Sequence, residues 1–248
     1  MDGRERMSVI DLAPAKPAAV PLEWVREVWA GLEGIGLLRE VLTGPLAGRI
    51  AMVSSFGAES AVLLDMIASI DRTTPVIFLE TGKLFAETLA YKDELVSWLR
   101  LEDVRSIRPE ETDLARHDPD GSLWEREPDL CCHIRKTEPL DQALAGFAGW
   151  ITGRKRFQGG MRTGMSAIEA DPVTGQIKLN PLAGWTPEDI RNYRRLRQLP
   201  LHPLIAQGYP SIGCEPCTRP VRDGEDQRAG RWWQLDKTEC GIHRGAGI

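Results

Sequence analysis

Short apolar runs alternating with longer amphipathic segments leave few folds open to this chain. Residues 49–55 (Arg-Ile-Ala-Met-Val-Ser-Ser) and 75–80 (Pro-Val-Ile-Phe-Leu-Glu) are continuously apolar at their centres. Such runs suit strands of a parallel sheet covered on both faces. A helical pattern over 59–70 separates them, and another over 84–99 leads to a weaker strand at 104–107. Strand–helix–strand–helix order predicts an α/β fold with a parallel, twisted sheet flanked by helices. Ligands of such sheets bind beyond the carboxyl ends of the strands. The polar loops 54–60 and 80–83 fall there.

Further along, the pattern predicts a helix over 21–42, a helix over 134–144, a strand over 150–153 and an edge strand over 176–180. Thr186-Pro187-Glu188-Asp189 is a helix start, with a threonine cap, proline at the first position and acids in the first turn. That helix should run to about Leu199. From Pro200 onward proline, glycine and charge predict irregular structure.

The organisation expected is a disordered Ala/Pro-rich tail over 1–20, one α/β domain over 21–230, and a mobile C-terminal segment over 231–248. With 248 residues and 42% hydrophobic content, the chain can bury a full core without disulfides. The formal net charge of -5 argues against a nucleic-acid partner. No apolar run is long enough to span a membrane, and the N-terminal residues lack the apolar core of a secretion signal. A cytoplasmic location is therefore expected, where thiols stay reduced.

In that compartment five cysteines point to metal binding or redox catalysis. They fall as Cys131-Cys132, as Cys214-Glu-Pro-Cys217, and as a lone Cys240 in Glu239-Cys-Gly-Ile-His243. Four thiols in two pairs suit either an iron–sulfur cluster or a structural zinc. Zinc sites favour a spacer between paired ligands, so the adjacent pair favours a cluster. The fifth thiol is then free for chemistry. Lys136 follows Cys132 by one helical turn and can place its ammonium beside the metal centre. His243 follows Cys240 by three residues and is a candidate to assist its ionisation or orient the tail.

Ser54-Ser55-Phe56-Gly57-Ala58-Glu59-Ser60 joins a strand to a helix start, where backbone N–H groups and hydroxyls can hold a phosphate or sulfate. It lacks the Gly-Lys-Ser/Thr ending of a Walker A loop. Arg154-Lys155-Arg156 and Arg162 flank Gly159-Gly160, and Arg219, Arg222, Arg228 and Arg231 lie between the last two cysteine motifs. Guanidinium forks suit phosphate and sulfate oxygens and favour a neighbouring thiolate. A solvated basic surface is the plain alternative, credible above all for Arg219 and Arg222.

Taken together, the chain resembles the assimilatory adenylyl-sulfate reductases within the phosphoadenylyl/adenylyl-sulfate reductase family. The matching pieces are Ser54-Ser-Phe-Gly-Ala-Glu59, Leu79-Glu-Thr-Gly82, Cys131-Cys132-His-Ile-Arg-Lys136, Cys214-Glu-Pro-Cys217-Thr-Arg-Pro and Glu239-Cys-Gly-Ile-His243. The resemblance implies an adenine-nucleotide α-hydrolase-like fold and one 4Fe–4S cluster held by Cys131, Cys132, Cys214 and Cys217. It implies Cys240 as nucleophile and Lys136 between cluster and substrate. Arg162, Arg228 and Arg231 would bind the phosphosulfate; Ser54, Ser55, Phe56, Gly57, Glu59, Thr81 and Gly82 would line the nucleotide site. It further implies adenylyl sulfate as substrate, reduced thioredoxin or a similar dithiol carrier as reductant, and a homo-oligomer. Relatives carry Arg where this chain has Lys83, which keeps the charge but loses the fork. Rival readings are use of 3′-phosphoadenylyl sulfate as well, a nucleotide-dependent RNA thiolase or ligase, and a non-catalytic zinc module. The thiolase reading expects a Ser-Gly-Gly-x-Asp-Ser loop that this chain lacks.

Overall fold

The computed structural model describes residues 20–235 and 237–243. The expected disordered tail lies, Val20 apart, outside the described residues, as do 244–248 of the expected mobile end. A six-stranded sheet organises the chain in the order β3-β2-β1-β4-β6-β5. Its strands are β1 (Ile50–Val53), β2 (Val76–Leu79), β3 (Val104–Ile107), β4 (Gly149–Ile151), β5 (Ile168–Ala170) and β6 (Ile177–Leu179). All neighbours pair parallel except β5 with β6.

Side-chain alternation sorts the central strands between two cores. Ile50, Met52, Val76, Phe78 and Ile151 face one cluster; Ala51, Ile77, Leu79 and Trp150 face the other. The first is covered by α1 (Leu22–Val28), α2 (Gly34–Thr43), α3 (Ser60–Ala68), α4 (Ala86–Leu99) and, late in the chain, Ile190. Every residue of α3 from Ala61 to Ala68 is buried, as befits a helix that is apolar nearly all round.

The single helix expected over 21–42 is broken. Gly31 and Gly34 adopt φ of 73° and 54°, and the Gly34 N–H leaves the helix to donate to the Pro181 carbonyl at 2.7 Å. Glycine alone takes such angles without strain, so the periodic pattern continues across a turn. Three short helices were not legible: α5 (Glu111–His117), α6 (Leu123–Arg126) and α7 (Pro128–Cys132). The helix expected over 134–144 opens as a π-helical turn, His133–Thr137, before α8 (Glu138–Leu144). The strand expected at the edge over 176–180 is β6 and lies inside the sheet; β5 is the edge. Its place after the Asp-Pro-Val-Thr-Gly turn made it look like an edge strand; inside the sheet the Lys178 ammonium sits 4.8 Å from the Trp150 ring centre, where a cation is held by the ring's negative face. The last helix, α9 (Pro187–Leu196), begins with a reciprocal capping box: the Asp189 N–H donates to Thr186 Oγ1 at 3.1 Å, and the Thr186 N–H donates to Asp189 Oδ2 at 2.8 Å.

Past α9 the chain returns to α4 through a buried histidine. The Leu204 N–H donates to His202 Nδ1 at 3.2 Å, and Thr88 Oγ1 lies 3.0 Å from Nε2. Nδ1 is thus an acceptor and the ring is neutral. Burial lowers its pKa to about 4, with Glu87 opposing. Because the folded pKa lies below the unfolded one, the unfolded chain binds the extra proton between those values. The stabilisation is therefore whole above about pH 6.5 and is lost as pH falls toward 4, amounting to about 2 kcal/mol by pH 5. Urea unfolding at pH 7 and pH 5 should show a smaller pH-dependent loss in His202→Gln than in the parent; an equal loss would contradict this assignment.

Candidate active site

Strands β1, β2 and β3 run out to one side of the sheet, and β4 begins on the other side of β1. The carboxyl ends of β1 and β4 therefore flank a topological switch point, where α/β sheets leave a crevice. A cavity of about 220 Å³ opens there. Ser54, Ser55, Gly57 and Glu59 line it from the loop after β1, Thr81 from the end of β2, and Arg154 and Lys155 from the end of β4. Lys136, Arg162, Arg228, Arg231, Cys240 and His243 complete its walls. The structure thus gathers onto one cavity most of the residues singled out from the sequence.

Phe56 and Gly82 do not line it. The Phe56 ring is fully buried, edge-on to Phe78 with ring centres 5.4 Å apart. Its backbone takes φ 48° and its N–H donates to Ser54 Oγ at 3.2 Å, so Phe56 anchors the loop into the core. Gly82, at φ 68°, lets the chain turn beside Arg135, which donates to the Thr81 carbonyl at 2.6 Å and pairs with Asp118. Lys83 donates to the Gly121 carbonyl at 2.7 Å, fastening the 118–121 turn instead of facing the cavity. Arg219 pairs with Glu225 at 2.8 Å, and Arg222 is exposed.

Six cations line the cavity, Lys136, Arg154, Lys155, Arg162, Arg228 and Arg231, against the carboxylates Glu59 and Glu239. Sequence reading put Arg154 and Lys155 in a loop of uncertain value; the structure buries both, to 5% and 3% exposure. Their place directly after β4 was the signal. Lys155 pairs with Glu59 at 2.8 Å, and Arg154 with Glu169 at 2.6 Å. Burial lowers the pKa of each despite these partners. Arg231 is half-buried; desolvation of its guanidinium lowers its pKa, and its Nε has no hydrogen-bond partner among the described residues. It reaches its place because residue 213 is glycine: a Cβ there would lie 2.2 Å from the guanidinium.

The four paired cysteines approach from two segments. Cys131 and Cys132 end α7; Cys214, bridged to Leu84 after β2, precedes a short 3₁₀ turn that Cys217 ends. All five cysteines are free thiols. Burial pushes the Cys131 and Cys217 thiols up, and their neighbour Cys214 adds to it. Thr81 Oγ1 lies 3.4 Å from Cys214 Sγ. Among the described residues no three His, Cys, Asp or Glu side chains converge on one metal-ion position.

The π-turn carries Lys136 into the midst of these thiols; such turns recur at functional sites. Burial opposes its charge, but Cys214, Cys240 and Cys132 together push its pKa above the ordinary lysine value. Cys240 packs with Cys132 and Trp232 in a small buried cluster. With the paired cysteines as free thiols, a hydrogen bond from Cys132, aided by Lys136 and Arg231 against burial, holds the Cys240 thiol well below its usual pKa; with Cys132 as a thiolate ligand the two cations and the Ile242 backbone N–H remain to do so. His243 is half-buried with its ring parallel to Trp150 at 6.1 Å between centres. Burial, then Arg154 and Lys178, keep it neutral; its backbone N–H donates to the Cys240 carbonyl at 3.2 Å, while its ring Nδ1 has no hydrogen-bond partner among the described residues.

An α/β sheet with a crevice at its switch point, lined by six cations and by the buried Cys240 thiol, is the frame on which the comparisons with known proteins bear. The chain belongs to the phosphoadenosine phosphosulfate reductase family, whose domain matches residues 49–220. It is 56% identical over 194 residues to the adenosine 5′-phosphosulfate reductase of Mesorhizobium japonicum, covering 78% of this chain and 76% of that one. It is 40% identical over 225 residues to the phosphoadenosine 5′-phosphosulfate reductase of Gloeobacter violaceus, covering 90% and 93%. Among solved structures, phosphoadenylyl-sulfate reductase from Candida auris matches with a TM-score of 0.66 at 26% identity, covering 80% of this chain and 96% of that one. Yeast FAD synthetase shares the fold alone, at 14% identity and a TM-score of 0.54 over 80% of this chain and 74% of that one.

Proposed function

We propose that this protein reduces adenylyl sulfate to sulfite and AMP, with Cys240 as nucleophile and a dithiol carrier such as reduced thioredoxin as electron donor. The observation that carries the reading is the position of Cys240, buried on the wall of the cation-lined crevice with Lys136 and Arg231 beside it. The Cys240 thiolate attacks the sulfur of adenylyl sulfate. A bond forms between the two sulfurs, the bond from sulfur to the phosphate oxygen breaks, and AMP leaves with that electron pair. Lys136 and the arginines stabilise the charge on the leaving phosphate and on the sulfonate. A carrier thiolate then attacks Cys240 Sγ and expels sulfite with the sulfur–sulfur electron pair. The carrier's second thiol resolves the mixed disulfide and returns Cys240 as a thiol. Sulfur gains two electrons, and the carrier dithiol becomes a disulfide.

The four remaining thiols suit one 4Fe–4S cluster bound by Cys131, Cys132, Cys214 and Cys217. Four cysteine ligands are the ordinary set for such a cluster, and the hydroxyl of Thr81 near Cys214 is an outer-shell contact of the kind that tunes one. When bound, the cluster supplies fixed charge and rigidity beside Lys136. A second reading, use of 3′-phosphoadenylyl sulfate as well, is favoured by the name of the Gloeobacter relative. The test is sulfite release from each nucleotide by anaerobically purified protein with reduced thioredoxin. Release from adenylyl sulfate alone is expected. Release from both would replace the specificity assignment, and release from neither would overturn the reaction.

A further inference from the structure

Residues 240–243 form a tight turn that rests on the domain along its length. Within it the His243 backbone N–H donates to the Cys240 carbonyl at 3.2 Å, and the Ile242 N–H donates to the Cys240 sulfur. Sulfur and imidazole therefore move together. A Cβ at Gly241 would lie 3.0 Å from the Thr137 hydroxyl, so the backbone there lies flush on the π-turn that carries Lys136. Ile242 packs against the second core of the sheet, which includes Leu140, Leu144 and Trp150. The His243 ring lies parallel to Trp150, with 5° between the planes and 6.1 Å between centres. Offset parallel rings at such a spacing attract one another. Trp150 offers a fixed floor. It stands in β4 and is 2% exposed. Its register partner on β6, Lys178, sets an ammonium 4.8 Å from the same ring. A ring gripped by core and cation keeps its orientation, and a ring stacked on it takes that orientation over.

We propose that Trp150 is a positioning residue that seats the His243 ring and, through the turn 240–243, sets the Cys240 sulfur beside Lys136 on the crevice wall. Of the two roles the sequence left open for His243, this assigns the orientation of the tail. The imidazole serves as a flat plate, and its Nδ1, without a partner among the described residues, takes no part in holding it. The seat uses none of the six cations that line the crevice, so all of them are left to the anionic ligand. It stands on the contacts just described; that the seated sulfur attacks adenylyl sulfate rests on the reductase reading.

The test is the rate at which iodoacetamide alkylates Cys240 in the anaerobically purified holoenzyme, read by mass spectrometry of the peptide carrying that residue. His243→Ala removes the plate. The imidazole is neutral where it lies, so no charge is lost and the rate reports access to the sulfur. An increase of about tenfold or more is expected, because the turn then opens more often. His243→Phe restores a flat ring without nitrogens and should bring the rate back to within about threefold of the parent. Trp150→Leu removes the floor and should match His243→Ala. Joined to it, Trp150→Leu should add less than about threefold more, since both changes break one contact. An unchanged rate in His243→Ala, a phenylalanine variant as fast as the alanine variant, or effects that multiply in full would each overturn the seat. Should Trp150→Leu fail to fold, the two His243 variants decide alone. In a single turnover with adenylyl sulfate, sulfonation of Cys240 should slow by about tenfold or more in His243→Ala, the scale of a small misplacement, and recover in His243→Phe. Equal sulfonation rates in all three proteins would also overturn the seat. A parent that is never sulfonated would instead count against the reductase reading, and alkylation, which needs no substrate, would still judge the seat.

Discussion

Replacing Cys240 with serine is expected to lower sulfite release at least about a thousandfold while AMP affinity stays within a few-fold. The thiol is buried on the crevice wall, and its surroundings favour the thiolate. A hydroxyl in that place ionises far above neutral pH and cannot serve as a comparable nucleophile. In the parent protein, adenylyl sulfate offered without a carrier should leave a sulfonate mass on the peptide carrying Cys240, with one AMP released per site. The serine variant should carry none. Sulfite production that survives the substitution would sink the covalent step, whatever the fate of the cluster proposal.

Lys136→Gln is expected to lower kcat/KM by about a hundred- to a thousandfold, the usual scale for losing one preorganised charge at a developing anion. Its ammonium stands among Cys132, Cys214 and Cys240, which more than offset the cost of burying it. Without it, those sulfurs repel one another and the approaching anion alike. The alkylation rate of Cys240 near neutral pH should fall in the same variant, because its thiolate loses one of the two cations that favour it. Lys136→Arg keeps charge and should recover only part of the activity, since a planar fork does not fill the space of a compact ammonium. A glutamine variant with parent activity would remove Lys136 from the chemistry.

Much of this architecture could be read before any coordinates. The apolar centres of β1 and β2 announce a sheet buried on both faces, and both occur within a residue or two of the expected bounds. The capping box at Thr186 and Asp189 is local chemistry, so its reading transferred without change. The failures share a cause. Gly31 and Gly34 break a periodic pattern because a backbone N–H is taken by Pro181, far along the chain. Lys178 is at home inside the sheet only because Trp150 lies beside it on the neighbouring strand. In each case a partner distant in sequence overrides the local preference.

The site divides in the same way. The identities of Cys131, Cys132, Cys214, Cys217, Cys240 and Lys136, and the order of the strands that carry the loops, are properties of the sequence. Reactive groups and buried apolar runs declare themselves by residue type and spacing. Which cation meets which anion is not declared there. Glu239 between Arg162 and Arg228, Lys155 on Glu59, and Phe56 turned into the core beneath its own loop are products of tertiary structure. Charge pairing acts through distances of a few ångströms, and for residues tens of positions apart only the folded chain sets those distances.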